Sequence, residues 1–238
     1  MKIFAHRGAS GLAPENTLSA IQLALDLPID GVEIDVYPVE DDYIVVHDRW
    51  LTRTTGLAKR FDQITLKQVK ALSAGHYQGN DLSIPLLSEV LALKWGAKTL
   101  NIELKHLSNC PHFLAYLESN LVNAGGMDAE SIIISSFNHH YLNSINQQKK
   151  AYNLGWLTAS NYLNYAQLAF QQKCHSINVH LDVIDEAMVN HAHSLGLQVY
   201  VFTVDELEDV QLLQSMGVDG IFTNWPDRLF EFVAEQRI

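Results

Sequence analysis

Cysteine is scarce in this chain of 238 residues: Cys110 and Cys174 stand far apart and form no C-x-x-C pair. That spacing points to neither a disulfide framework nor a thiolate zinc site, and both residues are expected to be reduced core residues. Basic residues are also few. Lys and Arg total 16 against 27 Asp and Glu, a net charge of −11, which speaks against a surface that tracks nucleic-acid phosphates. No long apolar run is present. The longest stretch free of charged residues, 151–172, holds Asn153, Thr158, Asn161, Asn164 and Gln167, a polar load that a membrane-spanning helix does not carry. The opening residues, Met1-Lys2-Ile3-Phe4-Ala5-His6-Arg7, become charged before an apolar export signal can develop, so a cytoplasmic address is expected. Two signatures are missing as well. There is neither a G-x-x-x-x-G-K-[ST] loop nor a G-x-S-x-G elbow, leaving P-loop nucleotide chemistry and serine hydrolysis unsupported.

What the chain does have is core-forming material. With 47% hydrophobic and 18% charged residues, it can bury enough apolar surface to offset the entropy of ordering. Short β-branched and aromatic runs alternate with helix-length amphipathic segments, the pattern of βα units around a parallel sheet. The strand candidates are Ile3–Ala5, Val32–Val36, Ile44–His47, Leu100–Leu104, Ile132–Ser135, Asn153–Trp156, Ile177–Val179, Val199–Val204 and Gly220–Thr223. Helices are expected over Thr17–Leu25, Leu87–Trp95, His112–Ala124, His139–Lys149, Leu163–Gln172, Asp185–Leu195, Glu206–Met216 and Arg228–Glu235. The alternation implies an α/β fold, an eightfold barrel of a size that about 250 residues commonly build as one domain. Nine strand candidates are one too many. Val36 and Ile44 are too close for a helical crossover, so that pair must be joined directly and one member is expected outside the regular repeat. Periodicity fades over residues 49–84, a stretch too short for its own core. It reads as a small insertion after the third strand, within a single domain spanning 1–238. Gly125-Gly126 reads as a helix terminator.

In Val32-Glu33-Ile34-Asp35-Val36, side chains alternate across the strand, so Glu33 and Asp35 share the face opposite the three apolar residues. Leu100-Asn101-Ile102-Glu103-Leu104-Lys105 repeats the device. In a barrel the apolar faces meet the helices and the polar faces converge near the strand ends. Three acids then share one cavity. Crowded carboxylates raise one another's pKa, and a hard dication cancels that penalty while satisfying oxygen lone pairs. All-oxygen ligation favours Mg²⁺ or Ca²⁺ over Zn²⁺. The plain alternative, charged strand ends standing in solvent, stays open on this pattern alone. The first strand ends in His6-Arg7-Gly8 and the third in His47-Asp48. Two imidazoles offer a proton acceptor and a proton donor, which phosphodiester cleavage requires together, while Arg7 and Lys105 offer positive charge to phosphate oxygens. Taken singly, each histidine also fits a structural role.

Further segments carry a resemblance. Ala5-His6-Arg7-Gly8-Ala9, Pro14-Glu15-Asn16-Thr17, Gly31-Val32-Glu33-Ile34-Asp35-Val36, Val45-Val46-His47-Asp48, Leu51-Thr52-Arg53-Thr54-Thr55-Gly56, Ile84-Pro85-Leu86-Leu87-Ser88-Glu89-Val90-Leu91, Asn101-Ile102-Glu103-Leu104-Lys105, Ser135-Ser136-Phe137 and Gly217-Val218-Asp219-Gly220-Ile221-Phe222-Thr223-Asn224 follow one another in order. The set closely resembles the glycerophosphodiester phosphodiesterase family, within the phospholipase C-like TIM-barrel enzymes. The resemblance implies metal-dependent hydrolysis of a small glycerophosphodiester to glycerol 3-phosphate and an alcohol. It implies one divalent cation, Mg²⁺ or Ca²⁺, on Glu33, Asp35 and Glu103, proton exchange by His6 and His47, and phosphate contacts from Arg7 and Lys105. One departure stands out. Family members often carry Trp-Thr-Val where this chain has Phe202-Thr203-Val204, so stacking on the glycerol part is retained at Phe202 without an indole N–H.

Two rivals accompany this expectation. A lysophospholipase D-like enzyme would use the same site on a substrate that keeps its acyl chain, and a non-catalytic binding protein would reuse the barrel alone. Stable membrane insertion and nucleic-acid partners are not expected, and the oligomeric state is left open. His139-His140 and His191-x-His193 have spacings that do not turn both rings to one ligand on a helix. His180 sits near a strand end, within possible reach of the pocket, and Trp225-Pro226 reads as the start of the last helix.

Overall fold

A computed structural model of the protein describes residues 1–123, 127–164 and 166–235. The strands are β1 (Lys2–Ala5), β2 (Gly31–Val39), β3 (Asp42–Val45), β4 (Ser73–Tyr77), β5 (Asn80–Ser83), β6 (Thr99–Leu104), β7 (Ile132–Ser136), β8 (Asn153–Thr158), β9 (Ser176–His180), β10 (Gln198–Phe202) and β11 (Gly220–Thr223). Eight of them form a closed parallel ring in the order β1, β11, β10, β9, β8, β7, β6, β2, with β2 returning to β1. This is a TIM barrel. The ninth member of the sheet, β3, lies outside the ring and pairs antiparallel with β2, Val36 opposite Val45. Its place follows from the shortness of β1. The β1 pairing on β2 stops at Val32, and from Val36 onward β3 satisfies the backbone edge that β1 leaves open.

The apolar faces of the strands point outward, as the alternation requires. Val32, Ile34, Val36, Leu100, Ile102 and Leu104 are all buried in the layer shared with the helices. Each such side chain contributes roughly 1.5–3 kcal/mol of burial. Helices follow the expected positions, with Leu18–Asp26 started by the Thr17 side chain accepting from the Ala20 N–H. Two are shorter than expected. The helix at Leu87 ends at Leu91, where the Trp95 indole N–H donates to the Val90 carbonyl, and another occupies Gln167–Gln171 alone. The expected helix end at Ala124 and the terminator Gly125-Gly126 lie outside the described residues. Among the described residues no helix is long and apolar enough to cross a membrane. Both cysteines are unpaired, Cys174 buried and Cys110 partly so.

Inside the ring the filling changes along the axis. Phe4, Ile133, Tyr200 and Phe222 close one end, with the Phe4 ring 5.3 Å from Tyr200 and 5.1 Å from Phe222. The buried polar residues Asn101, Ser135 and Asn178 also face this interior. Residues 49–84 leave the barrel after β3 and hold the β4–β5 hairpin and the short helices Thr52–Thr55 and Leu66–Val69. Their apolar residues Leu51, Phe61, Ile64 and Val69 cluster with Tyr37, Val39, Ile44 and Val46 of the β2–β3 hairpin and its exit. The excursion thus completes its core with barrel-derived side chains.

Candidate active site

Glu33 and Asp35 lie on β2 and Glu103 on β6, and the parallel register sets Asp35 beside Glu103 and Glu33 beside Asn101. One oxygen from each of the three acids lies within 4.8 Å of the others. Glu33 and Asp35 are 4% and 1% exposed, and Glu33 Oε1 is buried without a hydrogen-bond partner among the described residues. Burial, reinforced by the charges of Asp35 and Glu103, pushes Glu33 well above the usual carboxylate range. Burial and Asp35 likewise push Glu103 up to about 7 against the pull of Lys105. Burial would raise Asp35 too, but Lys105 and Arg7, helped by His47, hold it below the usual range. An unpartnered buried oxygen within a set of crowded hard donors fits a divalent cation. Glu33, Asp35 and Glu103 are the residues that could hold it.

The surrounding cations are fixed by the same acids. Lys105 Nζ lies 3.1 Å from Asp35 Oδ1 and pairs with Glu103, and Arg7 Nε lies 3.4 Å from Asp35 Oδ2. Asn16 Nδ2 donates to Asp35 Oδ2 at 2.8 Å. The backbone contributes as well: Arg7 takes a left-handed conformation (φ 58°), and its N–H donates to Glu33 Oε2 at 2.8 Å. Gly8 follows at φ 76°, where an added Cβ would stand 2.6 Å from the Ala20 carbonyl carbon, so this close approach requires glycine.

His6 is oriented by a chain of bonds reaching the other end of the sequence. Asp205 can act as acceptor alone, taking the Asn224 backbone N–H at 2.8 Å and Nδ2 at 2.7 Å. That turns Asn224 Oδ1 toward Ser10 Oγ and His6 Nδ1, each 2.8 Å away. The network therefore assigns the proton of neutral His6 to Nδ1 and leaves Nε2 with its lone pair. Burial, then the nearby Arg7 charge, lowers His6 to about 4, so the neutral form prevails at pH 7. His47 is held differently. Its Nδ1 lies 2.7 Å from Asp48 Oδ1, Asp48 pairs with Arg53, and Arg53 grips Glu15 through two bonds of 2.7 and 2.8 Å. Glu15 in turn accepts from Arg7 Nη1 at 2.9 Å. The charge of His47 is felt by both His6 and Asp35.

The expected strand end at His47 needs correction. β3 stops at Val45, and the chain reaches His47 through Val46, whose N–H donates to the Asp35 carbonyl at 3.0 Å. Phe202 ends β10 and lines a cavity of about 20 Å³ with His6, Glu33 and Glu103. Its ring meets Phe137 and His180 edge to face at 5.7 and 5.4 Å. His139 is engaged elsewhere, stacked on Trp156 and bonded to the Leu157 carbonyl. The structure thus gathers His6, Arg7, Glu33, Asp35, His47, Glu103, Lys105 and Phe202 around one barrel mouth. Sequence reasoning assigned nothing to Glu15, Asn16, Arg53, Asp205 or Asn224. Four of these stood inside the quoted motifs, whereas Asp205 had no local signal.

The glycerophosphoryl diester phosphodiesterase family model matches residues 6–228. A glycerophosphodiester phosphodiesterase of Caldanaerobacter subterraneus subsp. tengcongensis is 32% identical over 98% of this chain and 98% of its own. One from Bacillus altitudinis is 31% identical, with 99% of each chain covered. Among solved structures, a phosphodiesterase from Oleispira antarctica in complex with the product sn-glycerol-3-phosphate superposes with a TM-score of 0.89 at 27% identity, covering 98% of this chain and 97% of that one. With matching segments running from His6 to Arg228 and the same barrel beneath them, this chain belongs to the glycerophosphoryl diester phosphodiesterase family.

Proposed function

We propose that the protein hydrolyses glycerophosphodiesters to glycerol 3-phosphate and the corresponding alcohol, acting as one unit of barrel and excursion. The observation that carries the reading is the convergence of the Glu33, Asp35 and Glu103 oxygens within 4.8 Å, bordered by Lys105 and Arg7. The glycerol 3-phosphate held by the Oleispira relative fits the same substrate class. A divalent cation bound to the three acids would polarise a phosphate oxygen and lower the pKa of a coordinated hydroxyl.

The chain's own residues supply the rest. Asp35 and Glu103 overcome the effect of burial and raise Lys105 above its ordinary value, so its ammonium stays charged against phosphate oxygens throughout the neutral range. Arg7, tied to Glu15 and Asp35, presents a second fixed charge. Neutral His6, with Nδ1 occupied by Asn224, takes the proton of the nucleophile at Nε2, whether that is water or the glycerol hydroxyl, whose cyclic phosphate water then opens to glycerol 3-phosphate. His47, with Nδ1 turned to Asp48, gives a proton from Nε2 to the departing alcohol. Phe202 offers an apolar face to the glycerol carbons in the barrel mouth.

The test is a coupled assay for glycerol 3-phosphate with and without a chelator. Release should stop in EDTA and return with Mg²⁺ or Ca²⁺. Unchanged release in EDTA removes the cation from this reading, and no release from any glycerophosphodiester with cation present removes the reaction.

A further inference from the structure

Lys105 borders a second space besides the acid cluster. Between the tip of the β2–β3 hairpin and the excursion runs a groove of about 670 Å³, lined by Tyr37, Arg49, Phe61, Asp62, Lys105 and His106. One wall is aromatic: the Tyr37 and Phe61 rings stack with centroids 4.2 Å apart, and Phe61 lies 5.4 Å from the His106 ring. The charged groups are not equally available. Asp62 is held by Arg60 Nε at 3.0 Å, and Glu40, which also borders the groove, accepts the Leu66 N–H at 3.1 Å.

Most of the arginines are held as well. Arg7, Arg53 and Arg60 each pair with a carboxylate, and Arg228 lies over the Trp225 ring at 5.6 Å. Among the described residues Arg49 is the arginine with neither kind of partner, although acids outnumber bases across the chain, 27 to 16. Its side chain is exposed while its backbone is fixed, the Arg49 carbonyl accepting the Phe61 N–H at 3.1 Å. A guanidinium without an internal partner, lining a groove that Lys105 also borders, is a receptor for an anion. A quaternary ammonium would meet the unpaired Arg49 charge here, and the Tyr37 and Phe61 faces are partly spent on each other.

We propose that this groove receives the alcohol half of the diester and selects alcohols that carry a second phosphate, with Arg49 as the specificity-determining residue. The inference rests on the proposed hydrolase reading. The scissile phosphate sits at Lys105, the glycerol turns toward Phe202, and the alcohol extends past Lys105 along the excursion. A single charge-assisted contact, discounted for exposure, is worth roughly tenfold in apparent affinity.

The experiment compares glycerophosphoinositol 4-phosphate with glycerophosphoinositol on the cation-loaded protein, following initial release of glycerol 3-phosphate. The wild type should show the higher kcat/KM for the phosphorylated diester, expressed in KM. Arg49→Ala should lower the ratio of the two kcat/KM values by roughly tenfold and Arg49→Glu by more. Equal ratios in wild type and Arg49→Glu overturn the inference and leave the hydrolase reading intact. A readout that needs no turnover is calorimetric titration with inositol 4-phosphate. Weaker binding to Arg49→Glu than to wild type supports the groove, and equal or absent binding overturns it. Absence of glycerol 3-phosphate from both diesters refutes the hydrolase reading instead.

Discussion

The two imidazoles reach the same mouth from scaffolds of unlike character. His6 follows the first barrel strand and is fixed by Asn224, which follows β11, and Asp205, which follows β10, both partly buried. His47 stands at the threshold of the excursion and is fixed by Asp48, which leans on Arg53. Arg53 is 50% exposed. The first arrangement uses short, sheltered hydrogen bonds with defined donors and acceptors, which also decide a tautomer. The second uses ion pairs open to solvent, which screen in salt and contribute little each. A barrel strand end positions a side chain through the sheet that carries it. An excursion must be moored to the barrel by contacts of its own, and Arg53 to Glu15 is such a mooring.

That contrast can be broken most directly at His6. Replacing it by Ala should lower kcat/KM by roughly 10²–10⁴-fold. The pH profile of the wild type sharpens the point. A histidine lowered to about 4 by burial and Arg7 stays neutral as the pH falls from 7 to 5 and gains its proton near 4. At saturating cation, whose charge lowers a nearby imidazole further, the acid limb of kcat/KM should therefore appear no higher than about 4, and a limb at the ordinary value of roughly 6.5 would contradict the sheltered state of His6. Next in size is Asn224→Leu, which keeps the shape and removes the acceptor that sets the tautomer. Outer partners of this kind are commonly worth roughly 10–100-fold in activity, and here the loss should fall on kcat with the metal requirement unchanged. Arg53→Ala is expected to act least. It should cost less than about 1 kcal/mol in urea unfolding, with a modest activity loss that shrinks as ionic strength rises. A loss equal to that of Asn224→Leu would erase the distinction between the two flanks.

Legibility in the sequence followed the range of the interaction. Glu33 and Asp35 were readable because a strand alternates with period two, and their apolar neighbours Val32, Ile34 and Val36 left one face for the carboxylates. The β4–β5 hairpin was not readable. Its strands Ser-Ala-Gly-His-Tyr and Asn-Asp-Leu-Ser are polar and mostly exposed, so no alternation marks them. The turn between them, Gln78-Gly79 with φ of 48° and 84°, is the local signal that was available. The outside position of β3 was half readable. Spacing required a direct joint with β2, but which strand left the ring depended on where the β1 pairing stopped.

The amino-acid order by itself determined the barrel repeat and the shared face of the acids, since both are set by dihedral periodicity within a few residues. Tertiary structure alone decided which nitrogen of His6 carries the proton, which acids Arg53 holds and which arginine among the described residues stays unpaired. His6 and Asn224 are 218 positions apart, and Glu15 and Arg53 are 38 apart. Contacts at such separations leave no period in the chain, because they exist after the ring closes and not before.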